Sequence, residues 1–280
     1  MKDLQFERVS KCPLCGSSRH HLWTTSAAKI PAFQCVACEL IYMGRRLTLP
    51  SVSVYYDDYN HARDTRKSVL AAKRKAMYEL DRRYIQRFIR SGSILDMGAG
   101  PGTFISGLPR SFHKFAFDVD QSALTHGRLK YPSIRFLDTL DEIGTHQKFD
   151  ALLFRGTLQY QRNLKSISSF CLKHLAKNGY LFILATPNAD APLAVIARER
   201  WTLFNAIEHL YHFNLKSLQT LFRAFCIHDF DFTYIGTPYE NWRQDLKKFI
   251  ALAQNRSNDA RFPFWGSMMN VTLQIRPSPH

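Results

Sequence analysis

Gly98, Gly100 and Gly102 stand at alternate positions directly after Ser93-Ile94-Leu95-Asp96-Met97. Nothing else in the chain limits its fold so tightly. The five residues before the glycines read as a short apolar strand, and Phe104, Ile105 and Leu108 open an amphipathic segment after them. Glycine permits positive φ and lets a ligand come close to the backbone. A strand, a glycine turn and a helix in succession form a nucleotide-type cradle. No Lys follows the glycines, so this is not a phosphate-binding loop. The Gly-x-Gly-x-Gly spacing also differs from the Gly-x-Gly-x-x-Gly of dinucleotide sites. Asp96 lies just upstream. A buried acid is a poor neighbour for a pyrophosphate and suits a cationic or amine-bearing ligand.

Downstream, strands and helices alternate. Lys114 to Asp120 reads as a strand, Gln121 to Lys130 as a helix stopped by Pro132, and Ile134 to Asp138 as a third strand. Phe149 to Phe154 forms a fourth, followed by Arg155, Gly156 and Thr157, and Leu164 to Leu175 a helix. Tyr180 to Ala185 is wholly apolar, as a parallel strand covered on both faces should be. Residues 215–225 read as a helix, Ile227 to Tyr234 as a strand, Pro238 to Gln254 as a helix and Met268 to Ile275 as the last strand. Such alternation argues for an α/β, doubly wound parallel sheet over residues 91–280. Cys171 and Cys226 sit in apolar surroundings and read as core.

The run Leu95-Asp96-Met97-Gly98-Ala99-Gly100-Pro101-Gly102 closely resembles the first motif of class I S-adenosylmethionine-dependent methyltransferases. Phe117-Asp118-Val119-Asp120 resembles the second. An acid there, about twenty residues beyond the glycines, can accept both ribose hydroxyls of a nucleoside; the matching residue is Asp118, ahead of Asp120. The resemblance implies a Rossmann-like seven-stranded sheet with an antiparallel closing strand. It implies S-adenosyl-L-methionine as cofactor, cradled by Asp96, Gly98, Ala99, Gly100, Gly102 and Asp118. Asp138 or Thr139, at the third strand's end, is the candidate for the adenine edge, and Arg155 lies on the cofactor side. Where the family often has Leu-Glu-His, this chain has Leu158-Gln159-Tyr160, so no acid/base pair is expected in that loop.

Before this domain the cysteines are paired. Cys12-Pro-Leu-Cys15 and Cys35-Val-Ala-Cys38 are C-x2-C pairs separated by nineteen residues, which is zinc-ribbon spacing. Each pair can present two thiolates to one tetrahedral Zn2+. With four protein ligands the ion would be structural, and it would supply folding free energy to a small module spanning residues 1–47. Phe33, Leu40, Ile41 and Tyr42 are expected in small strands around it, and His20 and His21 on the surface.

Residues 48–90 are expected to hold a connector and a basic helix. The connector includes Tyr55-Tyr56-Asp57-Asp58-Tyr59-Asn60, with packing as the favoured role of its tyrosines. In the helix, Met77, Leu80, Tyr84 and Phe88 share one face. The other carries Arg63, Arg66, Lys67, Lys73, Arg74, Lys75, Arg82, Arg83, Arg87 and Arg90 and reads as a solvated charge run. The chain has 38 Lys and Arg against 23 Asp and Glu, a net charge of +15. That invites an anionic partner without choosing one. There is no run of 18 apolar residues and no signal-peptide pattern at the N-terminus, so a cytoplasmic protein without a membrane span is expected.

Acid, imidazoles and aromatics are dense between Arg200 and Asn214. This stretch leaves the carboxyl end of the fifth strand, where ligands bind in open α/β sheets. His209 is the expected base for an acceptor hydroxyl, Glu208 the carboxylate that would orient it, and His212 the second imidazole. Glu208, His209, His212 and Phe213 resemble the Glu-His-x-x-(aromatic)-Phe stretch of zinc-containing sugar methyltransferases. Those that methylate carbon tend to carry Tyr two residues before the Glu. Here that residue is Ala206, so O-methylation fits better. The expected function is methyl transfer to a small-molecule acceptor, a sugar or polysaccharide-precursor hydroxyl. An RNA-modifying methyltransferase docking nucleic acid on its zinc module and basic helix is the alternative, and a non-catalytic cofactor-binding module a further one.

Overall fold

The computed structural model describes residues 4–52, 54–55, 67–233, 242–262 and 264–277. In chain order the strands and helices are β1 (Phe6–Arg8), β2 (His20–Thr25), β3 (Pro31–Cys35), β4 (Ile41–Met43), β5 (Arg45–Leu47), α1 (Lys67–Gln86), β6 (Gly92–Met97), α2 (Thr103–Ser106), β7 (Phe112–Phe117) and α3 (Gln121–Lys130). There follow β8 (Ile134–Leu137), β9 (Phe149–Arg155), α4 (Leu164–His174), β10 (Leu175–Pro187), α5 (Pro192–Ala197), β11 (Tyr211–His212), α6 (Leu215–Leu221), β12 (Phe225–Thr233), α7 (Trp242–Ala253) and β13 (Met268–Ile275). The chain forms two compact units. One draws on residues 1–77, 187–220 and 234–268, the other on 78–186, 221–233 and 269–280.

The second unit is built on a seven-stranded sheet of order β12-β13-β10-β9-β6-β7-β8. The five strands from β10 to β8 pair in parallel. This is the expected doubly wound α/β sheet, with β13 inserted out of sequence between β10 and β12. Leu152, Leu153, Phe154, Phe182, Ile183 and Leu184 are buried completely, which is why β9 and β10 read as unbroken apolar runs. β10 starts earlier than the sequence suggests, at Leu175, and its pairing slips between Leu175 and Tyr180 where Lys177-Asn178-Gly179 intervene.

In α1 the inward face differs from the expected one. Leu80 is exposed, whereas Asp81 is buried with Tyr84 and Ile85. Of the basic run, Arg74, Lys75, Arg83, Arg87 and Arg90 are exposed, whereas Arg82 is turned inward. Arg82 donates from Nε to the Phe104 carbonyl (2.9 Å) and from a terminal nitrogen to that of Thr103 (3.0 Å), satisfying carbonyls of the four-residue α2. Arg83 pairs with Glu79 and Arg87 with Asp229. Tyr56, Asp57, Asp58, Tyr59, Asn60, Arg63 and Arg66 lie outside the described residues. Cys171 is buried, and Cys226 only partly.

The first unit contains a two-stranded sheet, β1 with β5, and a four-stranded sheet of order β11-β4-β3-β2. β11 pairs antiparallel with β4, Tyr211 opposite Tyr42 and His212 opposite Ile41. The strand that carries His212 is therefore completed by the strand that follows the second cysteine pair. Trp23, Ile30, Ala32, Ile41 and Met43 form one apolar core with Ala189 and Ala206. A second gathers Leu193, Ala194, Trp201, Leu252 and Phe262.

Candidate cofactor, acceptor and metal sites

In the second unit the glycine turn has the backbone its composition requires. Gly98, Gly100 and Gly102 all have positive φ, +85°, +53° and +74°. A Cβ at Gly98 would strike Thr157 at 2.5 Å, whereas one at Gly100 would meet nothing within 4 Å. Gly98 is therefore required for packing, and Gly100 borders open space, as the floor of a cradle should. The Gly98 and Ala99 N–H groups donate to the Phe117 carbonyl, 2.8 and 3.0 Å, tying the turn to the end of β7. From there the Asp118 carboxylate accepts from Gly100 N–H at 2.7 Å and from Asp120 N–H at 3.0 Å. Asp120 has another task. It caps α3, accepting from Ser122 and Ala123 N–H at 3.0 and 3.1 Å.

Asp96, at the end of β6, is 2% exposed, and its Oδ1 is buried without a hydrogen-bond partner among the described residues. Burial pushes the carboxyl up to about 7, against the pull of Arg155 and with a further push from Asp118. A buried carboxylate left incomplete in this way fits an amine-bearing ligand. Asp138 reaches outward to Arg128 (2.7 Å), while its backbone N–H donates to Glu142 (2.6 Å).

Arg155 is held more firmly than the sequence suggests. It pairs with Asp81 through Nε (2.8 Å) and a terminal nitrogen (2.7 Å), and its guanidinium lies 4.3 Å from the Tyr78 ring centroid. Asp81 also accepts from the Asn270 amide at 3.0 Å, and Asn270 accepts from Ala185 N–H at 2.8 Å. Ala185 has φ +50°. Desolvation outweighs the neighbouring guanidinium and leaves the Asp81 carboxyl above its usual range. This chain of buried polar groups escaped the sequence reading. Its one local signal was an acid four residues after Met77 and three before Tyr84, on the apolar face of α1.

In the first unit the two cysteine pairs make matching turns. Gly16 N–H donates to the Cys12 carbonyl (2.8 Å) and Glu39 N–H to that of Cys35 (3.0 Å). Gly16 and Glu39 both have positive φ, +77° and +62°. The turns bring the four sulfurs within 4.8 Å of one another. The Cys12–Cys38 and Cys15–Cys35 sulfurs are 3.5 Å apart. Four thiolates each about 2.3 Å from a tetrahedral Zn2+ would stand at nearly these separations, so the donor set fits the metal. His20 and His21 stay outside it: His20 Nδ1 meets the Tyr42 hydroxyl and His21 Nε2 the Gln34 side-chain Oε1.

Asn205 shapes the imidazole stretch. Its Oδ1 accepts from Ile207 and Glu208 N–H, 3.2 and 3.1 Å, and its carbonyl accepts from His209 N–H at 3.0 Å. Glu208 accepts the Tyr55 hydroxyl at 2.9 Å. The His209 ring is oriented by a backbone group: Nδ1–H donates to the Leu203 carbonyl at 3.1 Å, which makes Nε2 the basic nitrogen. Burial lowers His209 to about 4, so it is neutral at physiological pH. His212, buried among Trp201, Phe204 and His209, is pushed well below its ordinary value by the same cause. Both His212 ring nitrogens and Trp201 Nε1 are buried without hydrogen-bond partners among the described residues.

The family model described as a methyltransferase domain matches residues 69–225. Among solved structures, the Burkholderia thailandensis 1,6-didemethyltoxoflavin-N1-methyltransferase, with bound 1,6-didemethyltoxoflavin and S-adenosylhomocysteine, is similar with a TM-score of 0.51 and 17% identity. That likeness covers 92% of this chain and 100% of that one. The PH0226 protein of Pyrococcus horikoshii OT3 is similar with a TM-score of 0.50 and 12% identity over 75% of this chain and 93% of that one. At such identities the likeness concerns the fold. No curated protein matches the sequence.

Proposed function

Because this chain belongs to the methyltransferase-domain family, which matches it over more than half its length, we propose that it methylates a hydroxyl of a small molecule, a sugar or polysaccharide precursor. It is an S-adenosylmethionine-dependent methyltransferase, and that cofactor supplies an electrophilic methyl group on sulfur. Asp96 accepts from the cofactor's amino group, the glycine turn admits its backbone-facing edge, and Asp118 accepts from its ribose. Asp138 and Arg155 complete the cofactor set. Cys12, Cys15, Cys35 and Cys38 hold a structural Zn2+.

The observation that carries the acceptor class is the group of buried, unpartnered polar atoms on His212 and Trp201. A neutral indole N–H and a neutral imidazole suit hydroxyl groups, which both donate and accept. They give a phosphodiester little, since it asks for cations. His209 Nε2 would take the acceptor's hydroxyl proton as the oxygen–methyl bond forms and the methyl–sulfur bond of the cofactor breaks, and Glu208 beside it accepts from the Tyr55 hydroxyl. A small-molecule acceptor is also what the Burkholderia enzyme has bound.

The test is a methyl-transfer screen with labelled cofactor on fractionated extract, followed by kinetics on the acceptor found. His209→Ala should lower kcat by about 10²–10⁴-fold, the usual share of general-base catalysis, with cofactor affinity nearly unchanged. A folded, fully active His209→Ala enzyme would remove the assignment, and label appearing in RNA would remove the acceptor class.

A further inference from the structure

Helix α7 carries a side that neither site uses. Trp242, Leu246 and Ile250 recur every fourth residue, so they line one flank of the helix. They are 52%, 41% and 45% exposed. The core-facing side is occupied separately: Asp245 and Leu252 are buried, and Phe249 stacks on Phe264 with centroids 4.2 Å apart. Arg243 and Lys247 each follow a stripe residue and are exposed, so a basic row runs beside the apolar one.

A single exposed leucine needs no explanation. An ordered apolar row bordered by an ordered basic row does, because a helix flank meant for water would be polar. Three occupants compete for it. Nucleic acid would use the basic row and stack on aromatics, and would leave Leu246 and Ile250 without a role. A second copy would bring two like basic rows together on chains that each carry +15, which electrostatics opposes. An anionic bilayer surface satisfies both rows. Apolar side chains enter the boundary between headgroups and acyl chains while Arg and Lys meet the phosphates.

We propose that α7 docks this protein on the surface of a membrane rich in anionic phospholipid, with Trp242, Leu246 and Ile250 inserted and Arg243 and Lys247 at the headgroups. The helix lies in the interface. Among the described residues no helix is long and apolar enough to cross a bilayer. The inference is independent of the methyl acceptor.

Vesicle sedimentation with the full chain tests it, comparing phosphatidylcholine alone with vesicles containing about one third phosphatidylglycerol. Binding to the anionic vesicles should be stronger by about tenfold or more, and the paired change Leu246→Glu with Ile250→Glu should remove about tenfold or more of it. Both residues are exposed, so the variant should keep its melting temperature and its affinity for S-adenosylmethionine. Without any variant, brominated acyl chains should quench the wild-type tryptophan fluorescence. Equal binding to both vesicle types would overturn the proposal. So would undiminished binding by a folded double variant, which would mark a general attraction of a basic chain, and so would absence of quenching. A wild-type dimer dissociated by the same changes, with no vesicle binding, would assign the face to self-association instead.

Discussion

Replacing Asp96 with Asn should stabilise the ligand-free protein while disabling its cofactor site. The Asp96 carboxyl titrates at about 7, raised from 3.8 chiefly by burial. Below pH 4 both the folded and unfolded forms carry the proton, and ionisation costs the fold nothing. Between pH 4 and 7 the unfolded chain releases the proton first, so stability falls as pH rises. Above 7 the full penalty is present, about 4 kcal/mol at 1.36 kcal/mol per pH unit. Asn keeps the shape and cannot ionise, but its NH2 group brings donors with no obvious partner, a cost of about 1–3 kcal/mol. The net expectation is a gain of about 1–3 kcal/mol at pH 8 that disappears or reverses near pH 4. Urea melts of wild type and Asp96→Asn at the two pH values measure it, with and without S-adenosylmethionine. The ligand should stabilise wild type at pH 8 and hardly affect the variant. An Asp96→Asn protein less stable than wild type at pH 8 would overturn this account, because the carboxylate would then be well accommodated in the ligand-free fold.

Three further outcomes are expected. Elemental analysis of protein prepared without chelator should find one zinc per chain, and Cys35→Ser should lose it and destabilise β2 to β4, seen as faster amide exchange there. Arg155→Met should cost about 3–5 kcal/mol by leaving the buried Asp81 carboxylate unpaired, and adding Asp81→Asn should recover part of the loss; a single variant as stable as wild type would show that the pair is dispensable. His209, held neutral by burial with a pKa of about 4 against 6.5, contributes stability that is complete above pH 6.5 and lost as pH falls toward 4. It amounts to about 3 kcal/mol. Denaturation across that window should be steeper for wild type than for His209→Gln, and catalysis should already be on its plateau by pH 6 rather than rising through 6.5.

Much of the fold and of the glycine turn's backbone was legible locally. The glycine spacing after Met97 dictates a turn of positive φ whatever surrounds it. The C-x2-C pairs dictate two thiol-bearing turns, though Glu39 in the left-handed region where Gly16 has its counterpart was not foreseeable. Alternating apolar strands and amphipathic helices dictate a doubly wound sheet. The misreadings are of one kind. Leu80 and Asp81 are neighbours on α1, and periodicity favoured the apolar one for the interior. Asp81 is inside because Arg155 and Asn270, 74 and 189 residues away, meet it there.

Local pattern was enough to place the glycine turn, the two cysteine turns and the buried strands, because those features depend on residue type at short spacing. Long-range pairing was needed to put β13 between β10 and β12 and to join β11 to the strands beside the cysteine turns. The Leu203 carbonyl and burial set the tautomer and charge of His209. Strand neighbours, desolvation and hydrogen-bond partners come from residues far apart in the chain. A local pattern can propose a histidine as a base, but its surroundings set its pKa.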